Sequence, residues 1–404
     1  MFTKEKIILL LLAALNFTHI LDFMIMMPLG NYLMPHFDIS SQQFSMLVAA
    51  YTFSAGTSGF LAAFFVDKYD RKKVLLSAFV GFIVGTLCCA IAPSYIILLI
   101  SRIVAGIFGG LIGAQVLSIV ADLVPYERRG AAMGIIMAAF SVASVFGVPF
   151  SLYLANIFNW HGPFYFVAGF GIVLMPLLIR YLPKMDSHIQ QDSRRKVNPL
   201  NLLKDIGKDK DQVLALSLSA TIMLGHFLII PFLNPFLEFN KGFTKLQTPM
   251  VYMVGGALTL ITSPLMGRMA DKVGKHRLFV IMALVAIIPI AIITNLPDIP
   301  FYLVLCVTGF WFVVSSGRMI PAQAMISNVV ATERRGSFMS INSSVQQVFV
   351  GIASVLAGLI VVKTPSNTLL NYEVTGYISI VITLLSVLFV TKLNTRLKRA
   401  GGDK

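Results

Sequence analysis

Apolar residues in this chain gather into twelve long runs separated by short polar stretches. The runs lie at about 7–34, 44–66, 74–92, 95–120, 131–155, 163–182, 212–237, 248–270, 278–295, 299–327, 337–362 and 374–392. A helix needs about 20 mainly apolar residues to cross a bilayer. The pattern therefore predicts an all-α integral membrane protein with twelve transmembrane helices. The first run is too long for the apolar part of a signal peptide and ends without a small-residue cleavage site, so it is expected to remain as the first span.

Composition agrees with this pattern: 57% of the 404 residues are hydrophobic, 12% are charged, and the mean hydropathy is +0.82. Charge then adds an orientation. Of the 32 Lys and Arg, only Lys241, Lys245 and Lys363 fall on the side reached after the first span, and Arg102 and Arg318 fall inside spans. The others sit at the termini, in the even-numbered connections such as DKYDRKK at 67–73 and DKVGKHR at 271–277, or, like Arg180, Arg268 and Lys392, in the last residues of a run beside them. Cytoplasmic connections carry the excess of Lys and Arg, so both termini are expected in the cytoplasm. The net charge of +14 is accounted for by topology, and nucleic acid is not an expected partner.

Cys88, Cys89 and Cys306 all lie in spans without zinc-site spacing, so neither a metal nor a disulfide is expected. No phosphate-binding loop, dinucleotide-binding glycine pattern or nucleophile elbow stands in a credible context. The chain therefore reads as a non-enzyme without a cofactor, and any energy it uses must come from an ion gradient.

Two segments recur at nearly one offset. PYERRGAAMG at 125–134 returns as ATERRGSFMS at 331–340, an offset of 206, and FFVDKYDRKK at 64–73 returns as RMADKVGKHR at 268–277, an offset of 204. GAQ at 113–115 is echoed by PAQ at 321–323. Repeats of this kind predict two six-helix halves of the same orientation, 1–183 and 212–404, joined by a polar cytoplasmic linker at 184–211 with a short surface helix at 199–206.

In the second copy of the shorter repeat, Gly267 is followed by Asp271, Gly274 and Lys275; in the first, Ala63 and Asp70 replace the two glycines while Asp67, Arg71 and Lys72 remain. RIVAGIFGG at 102–110 and GVPFS at 147–151 stand in the fourth and fifth spans, and HILDFMIMMPLG at 19–30 in the first. With these motifs the chain resembles the major facilitator superfamily over essentially its whole length, and within it the drug and sugar (arabinose-type) efflux branch of proton antiporters. The resemblance implies two pseudo-symmetric six-helix bundles around a central cavity in the bacterial inner membrane, operating as a monomer by alternating access. It also implies a small-molecule solute and protons as partners, with membrane lipid around the fold. Asp67, Arg71, Gly267, Asp271, Gly274 and Lys275 become a conformational latch at the cytoplasmic helix ends.

Asp22 is the one carboxylate well inside the first span, and an ionisable group at mid-membrane is functional by default. Counting 1.5 Å per residue puts it roughly 13–18 Å from the outer end of its helix, and Arg102 roughly 10 Å from the outer end of its own. The two depths are comparable, and the resemblance, in which the first and fourth spans line the cavity of the first half, implies an Asp22–Arg102 pair, either to carry the coupling proton or as a fixed structural ion pair. His19 stands three residues before Asp22 on the same face, where it could share the proton or bond a neighbour.

The second half offers His226, Arg318, Asn342 and Gln346 as candidate solute contacts. No carboxylate at mid-depth there is available for Arg318. An unpaired buried arginine suits an anionic or carbonyl-bearing solute, although its side chain could also pair with a helix end or snorkel to the surface. Asn342 and Gln346, at i and i+4, fit a cavity lining or interhelical hydrogen bonds equally. The leading expectation is proton-coupled export of a drug-like amphiphile or sugar. A lipid or lysolipid facilitator without proton exchange and a non-transporting sensor are the alternatives, and proton-gradient-dependent flux separates the first two.

Overall fold

Proline and glycine punctuate the chain where the apolar runs end. In the computed structural model, residues 4–65, 69–185, 204, 206–330 and 335–402 are described. Among them are twelve spans long and apolar enough to cross a membrane, and the fold is helical apart from one short hairpin.

The helices of the first half are α1 (Lys4–Met26), α2 (Gly30–His36), α3 (Ser41–Phe65), α4 (Arg71–Ala90), α5 (Tyr95–Leu123), α6 (Tyr126–Val142), α7 (Val148–Phe158) and α8 (His161–Tyr181). Those of the second are α9 (Lys210–Phe227), α10 (Ile230–Phe239), α11 (Thr248–Val273), α12 (Lys275–Thr294), α13 (Phe301–Ser327), α14 (Arg335–Ile360) and α15 (Tyr372–Gly402), with β1 (Val362–Lys363) pairing antiparallel with β2 (Leu369–Leu370) before α15.

The first apolar run does not form one helix to residue 34: α1 stops at Met26, and α2 restarts at Gly30 after a turn that contains Pro28. Proline has no N–H to give to the preceding turn, so the ladder is interrupted there. The same break recurs between α9 and α10, just ahead of Pro231. The fifth span is bent differently. Residues Ala143–Gly147 form a π-helical turn between α6 and α7, immediately before Pro149.

Residues 1–39 with 50–199 form one compact unit, and residues 40–49 with 200–404 form the other. In the first, α4 packs on α5 and α8, and α1 on α6 and α8. In the second, α13 packs on α11 and α12, while α9 lies against α14 and α15. The 199–206 helix expected in the linker falls largely outside the described residues.

Candidate functional site

Within the first unit, α1 brings Asp22 to α5. Arg102 Nη1 donates to Asp22 Oδ2 at 2.7 Å, and both side chains are fully buried. Thr86 of α4 donates its hydroxyl to the other carboxylate oxygen, Oδ1, at 3.3 Å. Nη1 also reaches the Asp22 carbonyl at 3.4 Å. Arg102 Nε and Nη2 have no hydrogen-bond partner among the described residues. The guanidinium carbon of Arg102 lies over the ring of Tyr51, contributed by α3, 4.5 Å from its centroid, an arrangement in which the π-cloud stabilises a cation.

Glycine explains how Tyr51 comes so close. A Cβ at Gly106 would meet the Tyr51 carbonyl oxygen at 2.4 Å, and one at Gly110 would meet the Ala55 carbonyl oxygen at 2.2 Å. The spacing Gly-x-x-x-Gly lets α5 and α3 approach backbone to backbone. From the opposite side the π turn presses on α1 beside the acid, with Gly147 under Leu21 and the Ser144 hydroxyl 3.9 Å from Met24 Sδ. A π turn at a functional residue is a recurrent association.

His19 shares this neighbourhood without bonding Asp22. Its Nε2 pairs with Asn16 Oδ1 at 2.9 Å, its carbonyl accepts from the Tyr51 hydroxyl at 3.3 Å, and Asn16 Nδ2 donates to the Ile136 carbonyl of α6 at 3.1 Å. His19 is therefore linked to Arg102 through Tyr51.

In the second unit, Arg318 of α13 is 3% exposed and its Nη1 donates to the Thr383 hydroxyl of α15 at 3.1 Å. No carboxylate among the described residues pairs with it. His226 of α9 stacks on Trp311 of α13 with ring centroids 4.8 Å apart, and lies within electrostatic reach of Arg318. Asn342 and Gln346 of α14 separate in role: Asn342 Oδ1 accepts from Ser219 of α9 at 2.5 Å, while Gln346 Nε2 is buried without a partner. Trp311 and Ser315, both buried and both with an unpartnered polar atom, belong to this cluster and were not singled out by sequence. The available signal was their spacing: residues 311, 315 and 318 follow i, i+4, i+7 along one helix face.

In the first half the described motif residues make local fastenings. Asp70 caps α4, accepting from Lys72 N at 2.9 Å and from Met185 N at 3.2 Å. Arg71 pairs with Asp122 at 2.7 Å, and Lys72 Nζ donates to the Ile179 and Leu182 carbonyls at the end of α8 at 2.8 and 2.6 Å, the helix end at which a cation is favourable. Gly274 takes φ +97° at the junction between α11 and α12, a conformation that side chains strain. Gly267 has open space around it, Asp271 is exposed, and Lys275 opens α12. Asp67 and residues 331–334 lie outside the described residues.

Comparison with known proteins agrees with the architecture. The chain is 25% identical over 374 residues to an uncharacterized MFS-type transporter, YceJ, of Bacillus subtilis strain 168, covering 92% of each. It is 24% identical over 252 residues to a probable sugar efflux transporter of Helicobacter pylori strain P12, covering 62% of each. The crystal structure of a bacterial homolog of the human lysosomal transporter Spinster superposes with a TM-score of 0.77 at 15% identity over 97% of both chains. The Major Facilitator Superfamily profile matches residues 12–317 and again 257–403. With twelve spans, the fold of that superfamily and a profile match across most of its length, the chain belongs to the Major Facilitator Superfamily of secondary transporters.

Proposed function

We propose that this transporter exports a small organic solute in exchange for protons. The observation that carries the reading is the fully buried Asp22–Arg102 pair at 2.7 Å. Burying two charges costs several kcal/mol per ion, by an order-of-magnitude estimate, unless their attraction and hydrogen bonds offset it. A pair that can part and re-form during alternating access gives Asp22 a bound state with Arg102 and a free state that takes up a proton. Tyr51, Thr86 and the π turn hold the two side chains in register, and His19, three residues before Asp22 on α1, is the relay candidate. The likeness to a probable sugar efflux transporter supports the outward direction. In this reading both termini are cytoplasmic, the protein works as a monomer in the inner membrane, and Asp67 and Asp271 steady the cytoplasmic helix ends between the two access states.

Inside-out vesicles energised by respiration test it, with ethidium, arabinose and benzoate as an amphiphilic, a sugar and an organic-anion probe. Wild type should accumulate at least one of them against its gradient and discharge the pH difference. Asp22→Asn should lose the uphill step while keeping exchange at equal pH on both sides. Unchanged accumulation by Asp22→Asn would remove Asp22 from coupling.

A further inference from the structure

The second unit buries a positive charge that no carboxylate among the described residues answers. Arg318 Nη1 is held by a neutral hydroxyl, Thr383 Oγ1. Its Nε is buried and unpartnered, and among the described residues its hydrogen bonding runs through Nη1 alone. Nε and Nη2 form the side-on edge of the guanidinium, the edge that takes a carboxylate or phosphate through two parallel hydrogen bonds. An unpaired charge in such surroundings is costly, and charged side chains inside spans mark solute or ion pathways.

Other groups on this face of α13 and beside it point the same way. Trp311 Nε1 is a buried donor without an acceptor, and the Ser315 hydroxyl is buried and unpartnered on the same face of α13. His226 Nδ1 is unpartnered as well, on a ring stacked against Trp311 and within electrostatic reach of Arg318. Arginine and indole N–H donors, an imidazole nitrogen and a hydroxyl thus share this face with one cation and no carboxylate partner among the described residues. An acceptor-rich ligand satisfies such a set, and a neutral sugar would leave the charge uncompensated.

We propose that Arg318, with Trp311, Ser315 and His226, is the recognition site for the anionic oxygen group, a carboxylate or phosphate, of a small organic solute. The proposal rests on the reading of the chain as a transporter of such a solute and narrows its class to organic anions.

Equilibrium binding to the purified full-length protein in detergent tests it without any proton gradient, so its failure leaves the coupling experiment standing. The probes are benzoate, its neutral isostere benzamide, inorganic phosphate, arabinose and lysophosphatidylglycerol, each followed by calorimetry and by the shift in melting temperature. Benzoate or phosphate should bind and raise the melting temperature, with benzamide and arabinose at least about tenfold weaker. Arg318→Lys keeps the charge and loses the fork, and should weaken the anion at least about tenfold while melting like wild type. Trp311→Phe keeps the ring and loses the donor, and should weaken it by roughly three- to tenfold. If Arg318→Lys fails to fold, the benzoate–benzamide contrast in wild type and the Trp311→Phe result decide. Arg318-dependent binding of lysophosphatidylglycerol alone would support the site and assign the anion to a lipid headgroup. The proposal is overturned if no anionic probe binds, if benzamide or arabinose binds as tightly as benzoate, or if Arg318→Lys binds benzoate unchanged.

Discussion

Arg102 in the first unit gives its Nη1 to a carboxylate at 2.7 Å, whereas Arg318 in the second gives its Nη1 to a threonine hydroxyl at 3.1 Å. The contrast extends to the helices that face them. Asp22 stands six residues before Pro28 at the break of α1, and His226 stands five residues before Pro231 at the break of α9. At matching places in the repeat, one unit carries an acid and the other a base. The arginines also differ in depth: Arg102 lies seven residues after Tyr95 and Arg318 seventeen after Phe301, a difference of about 15 Å along a helix. In the first unit the charge is answered within the protein, which suits a group that binds and releases a proton. In the second, no carboxylate among the described residues answers it, and the proposal above leaves it to the solute.

The largest expected effect separates these two conditions. Arg102→Gln leaves Asp22 buried beside a neutral amide and should destabilise the purified protein by about 3–5 kcal/mol in denaturant melts. Adding Asp22→Asn to that variant removes the second charge and should recover part of the loss. A double variant no more stable than Arg102→Gln would mean that the pair is not the source of the cost.

A smaller effect is expected from the packing that brings Tyr51 over Arg102. Gly110→Leu drives a side chain into the Ala55 backbone and should cost about 1–3 kcal/mol, with the uphill flux of the vesicle assay falling alongside. Wild-type stability in this variant would show that α3 and α5 can separate freely.

The smallest is Thr86→Val, which deletes one hydrogen bond to Asp22 and should cost about 0.5–1.5 kcal/mol. Its consequence for transport should be a shift in the pH dependence of flux rather than its loss, because the acid remains. An unaltered pH profile would make Thr86 a packing residue only.

The twelve spans were legible because apolar runs and charged connections are local properties, written residue by residue. Asp22 and Arg102 were legible for a related reason: each is a charge inside a span, and counting rise per residue placed them at similar depth. The break of α1 at Met26 was less visible, since hydropathy runs on through Met27, Pro28 and Leu29 and only the missing proline N–H interrupts the helix. Tyr51 and Thr86 were not legible, because aromatic and hydroxyl residues are common in spans and their role depends on which helices meet. The same holds for Trp311 and Ser315, whose unpartnered atoms are a property of packing. Asp122, the partner of Arg71, lies 51 residues along the chain and only folding brings the two together.

The division between an answered and an unanswered charge is tested most directly by melting Arg102→Gln and Arg318→Gln side by side in the same detergent. The account predicts opposite outcomes. Arg102→Gln should melt well below wild type, whereas Arg318→Gln, which replaces an uncompensated buried cation by a neutral amide, should melt at the wild-type temperature or above it. A fall for Arg318→Gln as large as that for Arg102→Gln would show that the protein does compensate Arg318, and would contradict the assignment of that charge to a solute.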